Sequence, residues 1–121
     1  MGSFRELKVW QKAHSLTLEV YEISKSFPRE EMFGITSQLR RAVISVELNL
    51  AEGSGRRESL DFARFVRIAR GSIVEVENLL IICRDLQLIS RENEIRLQAN
   101  VAEISRMLNA LATAVRRPPT S

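Results

Sequence analysis

The sequence predicts an all-α protein, an antiparallel up-down-up-down bundle of four helices that form one domain over residues 4–116. Apolar residues recur at alternating steps of four and three in four separate segments, which is the spacing of one helix face. No segment alternates with the period of two that is typical of strands, and glycine and proline are scarce. Residues 1–3 and 117–121 fall outside the pattern, and we expect flexible termini there.

The first helix is predicted to end before Pro28, because proline disfavours helix in the residue that precedes it. A single apolar seam runs along this helix and packs it against its neighbours, while the opposite face stays in water. The seam consists of Val9, Ala13, Leu16, Val20, Ile23 and Phe27.

The second helix is predicted to begin near Ile35, with Thr36 or Ser37 as its cap. Between residues 42 and 51 only Ser45, Glu47 and Asn49 are polar, so this helix is apolar on nearly all sides. A four-helix bundle buries one face of each helix, and the surplus apolar face therefore predicts burial against another subunit. The segment 53–55, Gly-Ser-Gly, predicts the end of the helix, with glycine at the position after the cap.

The third helix is predicted over residues 59–88, with Gly71 in its middle. Glycine costs about 1 kcal/mol relative to alanine in a helix interior, so its presence indicates close helix packing or a kink. Ser90 is the expected cap of the fourth helix. The seam of the fourth helix consists of Leu97, Val101, Ile104, Leu108, Leu111 and Val115.

The residues that carry most enzyme chemistry are rare in this chain. His14 is the only histidine and Cys83 the only cysteine, so neither a His/Cys zinc site nor a disulfide forms within one chain. The glycine segment lacks the Walker pattern of phosphate-binding loops. We therefore expect no catalytic residue, no metal and no cofactor, and Cys83 is predicted to be a buried apolar residue.

The sequence shows no signal peptide and no apolar run of about 18 residues. We therefore expect no export and no membrane span, and the cytoplasm is the expected location. The net charge is +3, with 15 arginines against three lysines. Arginine forms paired hydrogen bonds with both phosphates and carboxylates. The composition thus fits binding to RNA or DNA, and it fits equally an oligomer held together by arginine–carboxylate pairs.

Several separated motifs resemble one known family. They are "SFPREEMFGITSQLRRAVIS" at 26–45, "NLAEGSGR" at 49–56 and "FARFVRIARGSIVEVENLL" at 62–80. Together they resemble the bacterial four-helix-bundle family of 23S ribosomal RNA intervening-sequence proteins, also labelled S23. The resemblance implies a ring-shaped homopentamer. It extends to the accessory variability protein of diversity-generating retroelements, a pentamer that binds nucleic acid and a reverse transcriptase through a basic surface.

Two groups of residues are candidates for function. A structural polar network between the second and third helices is predicted from positions that match the family pattern: Arg41, Ser45, Asn49, Glu52, Ser72 and Glu75. Nucleic-acid contacts are predicted at the start of the third helix, where the helix dipole favours anions: Arg56, Arg57, Arg64, Arg67 and Arg70. Repeated round a ring, these arginines would form a basic rim, unless they pair with nearby acids and neighbouring subunits.

The leading functional hypothesis is a non-enzymatic homopentamer that binds RNA or DNA through a basic surface. The alternative is a protein–protein scaffold or adaptor that docks a partner such as a polymerase. The first hypothesis predicts contiguous basic surface, and the second predicts an exposed apolar patch that remains after assembly.

Overall fold

The computed structural model describes residues 3–56 and 59–116, with the side chains of positions 59 and 116 left undescribed. After a short 3₁₀ turn, Phe4–Glu6, the chain forms four long helices. They are α1 (Lys8–Ser24), α2 (Ser37–Ser54), α3 (Ser59–Asp85) and α4 (Arg91–Arg116). No strand occurs in these two described ranges, and the prediction of an all-α fold with four helices is confirmed.

Side-chain contacts fix the directions of the helices. Along the α1–α2 boundary, residue numbers rise on α1 as they fall on α2, so these helices are antiparallel. The pairs are His14 with Glu47, Thr17 with Val43 and Ser24 with Arg40. The boundary between α1 and α4 has the same sense, with Lys12 beside Glu103 and Glu19 beside Arg96. Each helix packs on two neighbours, with α3 between α2 and α4, in an up-down-up-down arrangement.

One hydrophobic core runs through all four helices. The predicted seams supply it, because the 3.6-residue repeat of a helix brings their members to one face. The largest fully buried side chains are Leu16, Leu39, Leu50, Ile73, Leu80, Leu97, Ile104 and Leu108. Cys83 is also fully buried in this core.

The entry to α2 differs from the prediction. A 3₁₀ turn, Arg29–Glu31, and a π-helical turn, Met32–Thr36, precede the regular helix, and Gly34 departs from helical geometry with φ −109° and ψ −115°. Thr36 already has helical dihedral angles and makes no side-chain cap. A residue that caps a helix with its side chain has an extended backbone. Thr36 follows directly from the π-helical turn and has no such backbone, so it does not cap α2.

The predicted end of α2 within the segment 53–55 is confirmed, but the predicted glycine cap motif is absent. The helix continues through Gly53 to Ser54, and Gly55 follows with φ −84°. No glycine in the described residues has the positive φ that the predicted motif requires. Gly53 is instead buried where α2 meets Phe62 and Phe65 of α3, so its lack of a side chain serves helix packing.

Helix α3 ends at Asp85, earlier than residue 88, because Gln87 adopts a left-handed conformation with φ 60°. The N–H of Leu88 then donates to the carbonyl of Cys83 at 2.9 Å, which closes the helix end. The predicted cap of α4 is confirmed, since Ser90 Oγ accepts from the N–H of Asn93 at 3.1 Å.

The outward face of α2 keeps its apolar surplus within one chain. Leu48 is 60% exposed and Ile44 is half-buried, so the all-round burial predicted for this helix is not reached within one chain.

None of the described helices meets the length and hydrophobicity needed to cross a bilayer. Of the termini predicted to be flexible, only Ser3 lies in the described range, where it forms a capping box with Glu6.

Candidate nucleic-acid interface

Three of the predicted phosphate-binding arginines project from the first half of α3. Arg64, Arg67 and Arg70 are all exposed, and successive members turn by about 60° round the helix axis. Arg56 precedes them at the end of α2 and is also exposed, whereas Arg57 lies outside the described residues. The arginines therefore cover one side of α3, from its first turns to its middle.

Phe65 supports two of these arginines. The guanidinium carbon of Arg56 lies 5.1 Å from the ring centre of Phe65, and that of Arg64 lies 4.7 Å from it. Contact with the ring face orients a guanidinium, and its N–H edge stays available for a phosphate. Arg56 also pairs with Glu52, with 3.6 Å between Nη2 and Oε2, so a phosphate would compete with this carboxylate.

Arg67 and Arg70 line a groove between α3 and α4. The groove has a volume of about 480 Å³, and Ser105 and Asn109 of α4 form its far wall. Within the described ranges, no carboxylate oxygen lies within 4.0 Å of either guanidinium. Two arginines beside a hydroxyl and an amide provide the donors that phosphate oxygens accept.

The sequence did not single out the residues that α4 contributes here. Ser105 also lines the adjoining groove, where Arg106 is a further exposed arginine beside Glu77 and Gln98. The short connection from Asp85 to Arg91 sets the antiparallel register of α3 and α4, as the bond from Gln98 Nε2 to the carbonyl of Glu77 shows. A sequence reading could have found these α4 residues from that register, because it places residues near 106 beside residues near 70.

Two other arginines, Arg40 and Arg41, lie away from this basic surface. They belong to the first turns of α2, at the opposite end of the bundle from Arg56, because the length of α2 separates them from it. Arg40 is also engaged there, since it donates to Ser24 at 2.8 Å and lies over the ring of Tyr21. The basic surface of one chain therefore follows the side of α3 and α4 and is not confined to an end.

Comparison with known proteins gives the family. Residues 5–110 match the family model described as 23S rRNA-intervening sequence protein. This chain belongs to that family. A solved structure of a protein of unknown function from the S23 ribosomal protein family of Bacteroides thetaiotaomicron VPI-5482 has the same fold, with a TM-score of 0.81 and 22% identity. The similarity covers 87% of this chain and 95% of that one. No curated protein matches the sequence.

The polar network predicted for this 23S rRNA-intervening sequence protein is partly assembled. Ser45 Oγ and Ser72 Oγ lie 2.8 Å apart across the α2–α3 boundary, and Asn49 Nδ2 donates to the Ser45 carbonyl at 2.8 Å. Within one chain, the other three predicted members are exposed and make no hydrogen bond to these residues: Arg41, Glu52 and Glu75. Arg41 fails to join because it lies about 80° from Asn49 round α2, on the solvent side of Ser45.

Two described residues of this family member, the buried Cys83 and the exposed His14, have side chains often used in catalysis. Burial, and secondarily the carboxylate of Glu31, raises the pKa of the Cys83 thiol from 9.0 to about 11. His14 is bound by Glu47, with 3.0 Å between Nδ1 and Oε2, and its ring stacks on Trp10. Among the described residues, no group of three metal-binding side chains is present.

Proposed function

We propose that this protein is a non-enzymatic homo-oligomer that binds RNA or DNA through the arginines on the shared side of α3 and α4. The observation that carries the proposal is the cluster of Arg67, Arg70 and Arg106 around Ser105. None of these guanidinium groups has a described carboxylate within 4.0 Å. Arginines that lie close together without an ion-pair partner favour a polyanionic ligand.

Binding of this kind would be driven by phosphate contacts. Each arginine that neutralises a phosphate releases condensed counterions, which makes affinity depend steeply on salt. The groove offers a hydroxyl and an amide for further hydrogen bonds to phosphate or sugar, but such contacts carry little base specificity. We therefore expect binding that is tolerant of sequence.

The proposal is tested with a fluorescent single-stranded RNA and the double variant Arg70→Ala, Arg106→Ala. We expect the affinity at low salt to fall about tenfold or more, because two phosphate contacts are lost. The matched control is Arg84→Ala, Arg91→Ala, which removes the same charge near the other end of α3 and should bind as wild type. Equal binding by both variants would refute this site, and Arg56→Ala, Arg57→Ala extends the test toward the start of α3.

The oligomer in this proposal is a ring of five, as the family resemblance implies. The outward face of α2 supports assembly, because Leu48 is 60% exposed and Ile44 beside it is only half-buried. Light scattering should give a mass near five times 13.8 kDa. A monomer at micromolar concentration would contradict the ring.

The proposal of no enzymatic activity rests on the two residues best suited to nucleophilic or acid–base catalysis. Cys83 is fully buried and its raised pKa keeps the thiol protonated at neutral pH. His14 is held between Glu47 and Trp10, on the far side of the bundle from the α3–α4 groove. Nuclease activity that copurifies with wild type and is abolished in His14→Ala would overturn this view.

A specific observation favours the scaffold hypothesis as a second candidate. Phe33, on the connection between α1 and α2, is 97% exposed, and Met32 beside it is 44% exposed. Apolar side chains presented in this way commonly contact a protein partner. If docking is the main function, Phe33→Ala should abolish capture of a specific partner while nucleic-acid binding stays weak and nonspecific in wild type.

A further inference from the structure

The outward face of α3 is a continuous stripe of exposed residues centred on Gly71. At 100° per residue, every member lies within about 60° of Gly71 round the helix axis. The members, which we name the α3 stripe, are Leu60, Arg64, Arg67, Ile68, Gly71, Val74, Glu75, Asn78 and Ile82. Four of them are large apolar residues with exposed fractions between 37% and 78%, which is unusual for one face of a surface helix.

The α3 stripe is nearly palindromic in chemistry about Gly71. Arg67 and Glu75, of opposite charge, lie four residues on either side of the glycine. The apolar pair Ile68 and Val74 lies three residues on either side. Further out, Arg64 mirrors Asn78 and Leu60 mirrors Ile82.

We infer that α3 pairs with α3 of a second copy of this chain, antiparallel and about a twofold axis that passes between the two helices beside Gly71. A twofold contact uses the same patch on both copies, so the patch must be complementary to its own inverted image. In this register Arg67 of each copy faces Glu75 of the other, and Ile68 of each copy faces Val74. Every charged or apolar member near the centre then meets its complement.

The glycine at position 71 permits the close approach of the two α3 helices that the pairing needs. Among the described residues, a methyl group at Gly71 would have no heavy atom within 4 Å, so no contact with them accounts for the glycine. Two grooves of about 480 and 490 Å³ meet at this residue. Glycine at the crossing point lets two helix backbones come close, and the groove lined by Val74, Glu75 and Asn78 receives an apolar side chain of the second copy.

Arg67 and Glu75 are the charged members of the α3 stripe nearest its centre. Among the described residues, neither Arg67 nor Glu75 has an ion-pair partner within 4.0 Å. The twofold axis would create this ion pair twice, at the edges of an apolar centre where the charges are partly shielded from water. The arrangement differs from a ring contact, in which two unlike faces meet.

The pairing goes beyond nucleic-acid binding and shares only Arg67 with the arginine cluster proposed to bind phosphate. Arg70 and Arg106 lie off the α3 stripe and stay available to phosphate, whereas Arg67 is taken into the ion pair with Glu75. Pairing is measured by crosslinking in the absence of nucleic acid. Pairing can therefore fail while RNA binding holds, and RNA binding can fail while pairing holds.

A cysteine placed on the axis tests the register. In the full chain, Gly71→Cys should form a covalent dimer under mild oxidation, because only a residue on the axis meets its own copy within disulfide reach. The native Cys83 is fully buried and serves as the internal background. Asn78→Cys is the matched control: it is exposed on the same stripe but faces Arg64, so it should remain uncrosslinked. A folded Gly71→Cys protein without dimer, or equal crosslinking by Asn78→Cys, would overturn the proposal.

Charge reversal in the Gly71→Cys background gives a second test. Arg67→Glu or Glu75→Arg alone should lower the rate of crosslinking about tenfold, since each creates two like-charge contacts. The combination of both changes restores opposite charges across the axis and should bring the rate back. Failure of the combination to recover crosslinking, with each protein folded by circular dichroism, would contradict the predicted register.

Discussion

Gly53 of α2 lies so close to Phe65 of α3 that a methyl group on the glycine would come within 2.7 Å of the Phe65 Cβ and 2.9 Å of Phe62 Cδ1. These distances are shorter than carbon atoms tolerate, and the atom of Phe65 belongs to the root of its side chain. The close contact between α2 and α3 near their shared end therefore depends on glycine at this position.

Gly53→Ala should destabilise the protein by about 1–3 kcal/mol, the usual cost of inserting a carbon into a packed contact. Gly55→Ala is the control, because the nearest described atom to its added carbon is the Glu52 carbonyl oxygen at 3.6 Å, an ordinary contact, and its φ of −84° suits alanine. Urea titration should show a change within about 0.5 kcal/mol for Gly55→Ala. A Gly53→Ala protein as stable as wild type would show that α2 and α3 separate without cost.

Leu108 tests the assignment of the α4 seam. It is fully buried, and Leu108→Ala should reduce the free energy of unfolding by about 2–5 kcal/mol. Leu18→Ala removes the same atoms from a side chain that is 58% exposed, so its effect should stay within about 0.5 kcal/mol. Similar losses for the two variants would mean that the seam is wrongly placed.

The contact between Ser45 and Ser72 should be measurable as a coupling. In a double-mutant cycle with alanine at both positions, we expect an interaction free energy of about 0.5–1.5 kcal/mol, typical of one hydrogen bond. The same cycle between Ser72 and Glu75 should give a value near zero, because Glu75 is exposed and outside the network.

The raised pKa of the Cys83 thiol predicts a loss of stability in alkaline solution. Its thiol has a pKa of about 11 when folded and near 9.0 when exposed, so above pH 9 the unfolded chain loses a proton that the folded chain keeps. The unfolded state then binds fewer protons, and the free energy of unfolding falls as pH rises toward 11. Urea titrations between pH 8 and 10 should show a smaller fall for Cys83→Ala than for wild type. An equal fall in both would contradict this origin.

The four helices and the core were predictable because burial repeats with the helical period, as Leu97, Val101, Ile104 and Leu108 show. The helix ends were less predictable. Gln87 takes the left-handed conformation that ends α3, where local sequence alone favours glycine or asparagine. Gly53 looked like a helix stop and proved to be a packing position, since the need for a small residue came from α3, outside its own segment.

Candidate sites were predictable only where one helix carried the whole signal. Arg64, Arg67 and Arg70 were found because they lie on consecutive turns of α3. Arg106 and Ser105 were missed because they join that surface through the register between α3 and α4, which depends on tertiary packing. Arg41 and Glu52 were wrongly expected to join the Ser45–Ser72 contact for a related reason. Their spacing places them on one stripe of α2, but it does not show which edge of that stripe faces solvent.

The salt dependence of RNA binding tests the central claim most directly. For single-stranded RNA, the slope of log affinity against log salt concentration is about −0.7 for each phosphate contacted. We expect Arg70→Ala, Arg106→Ala to make the slope shallower by about 1.4, with the mass of the oligomer unchanged. A folded double variant of unchanged mass that keeps the wild-type slope and affinity would contradict phosphate binding at the α3–α4 groove.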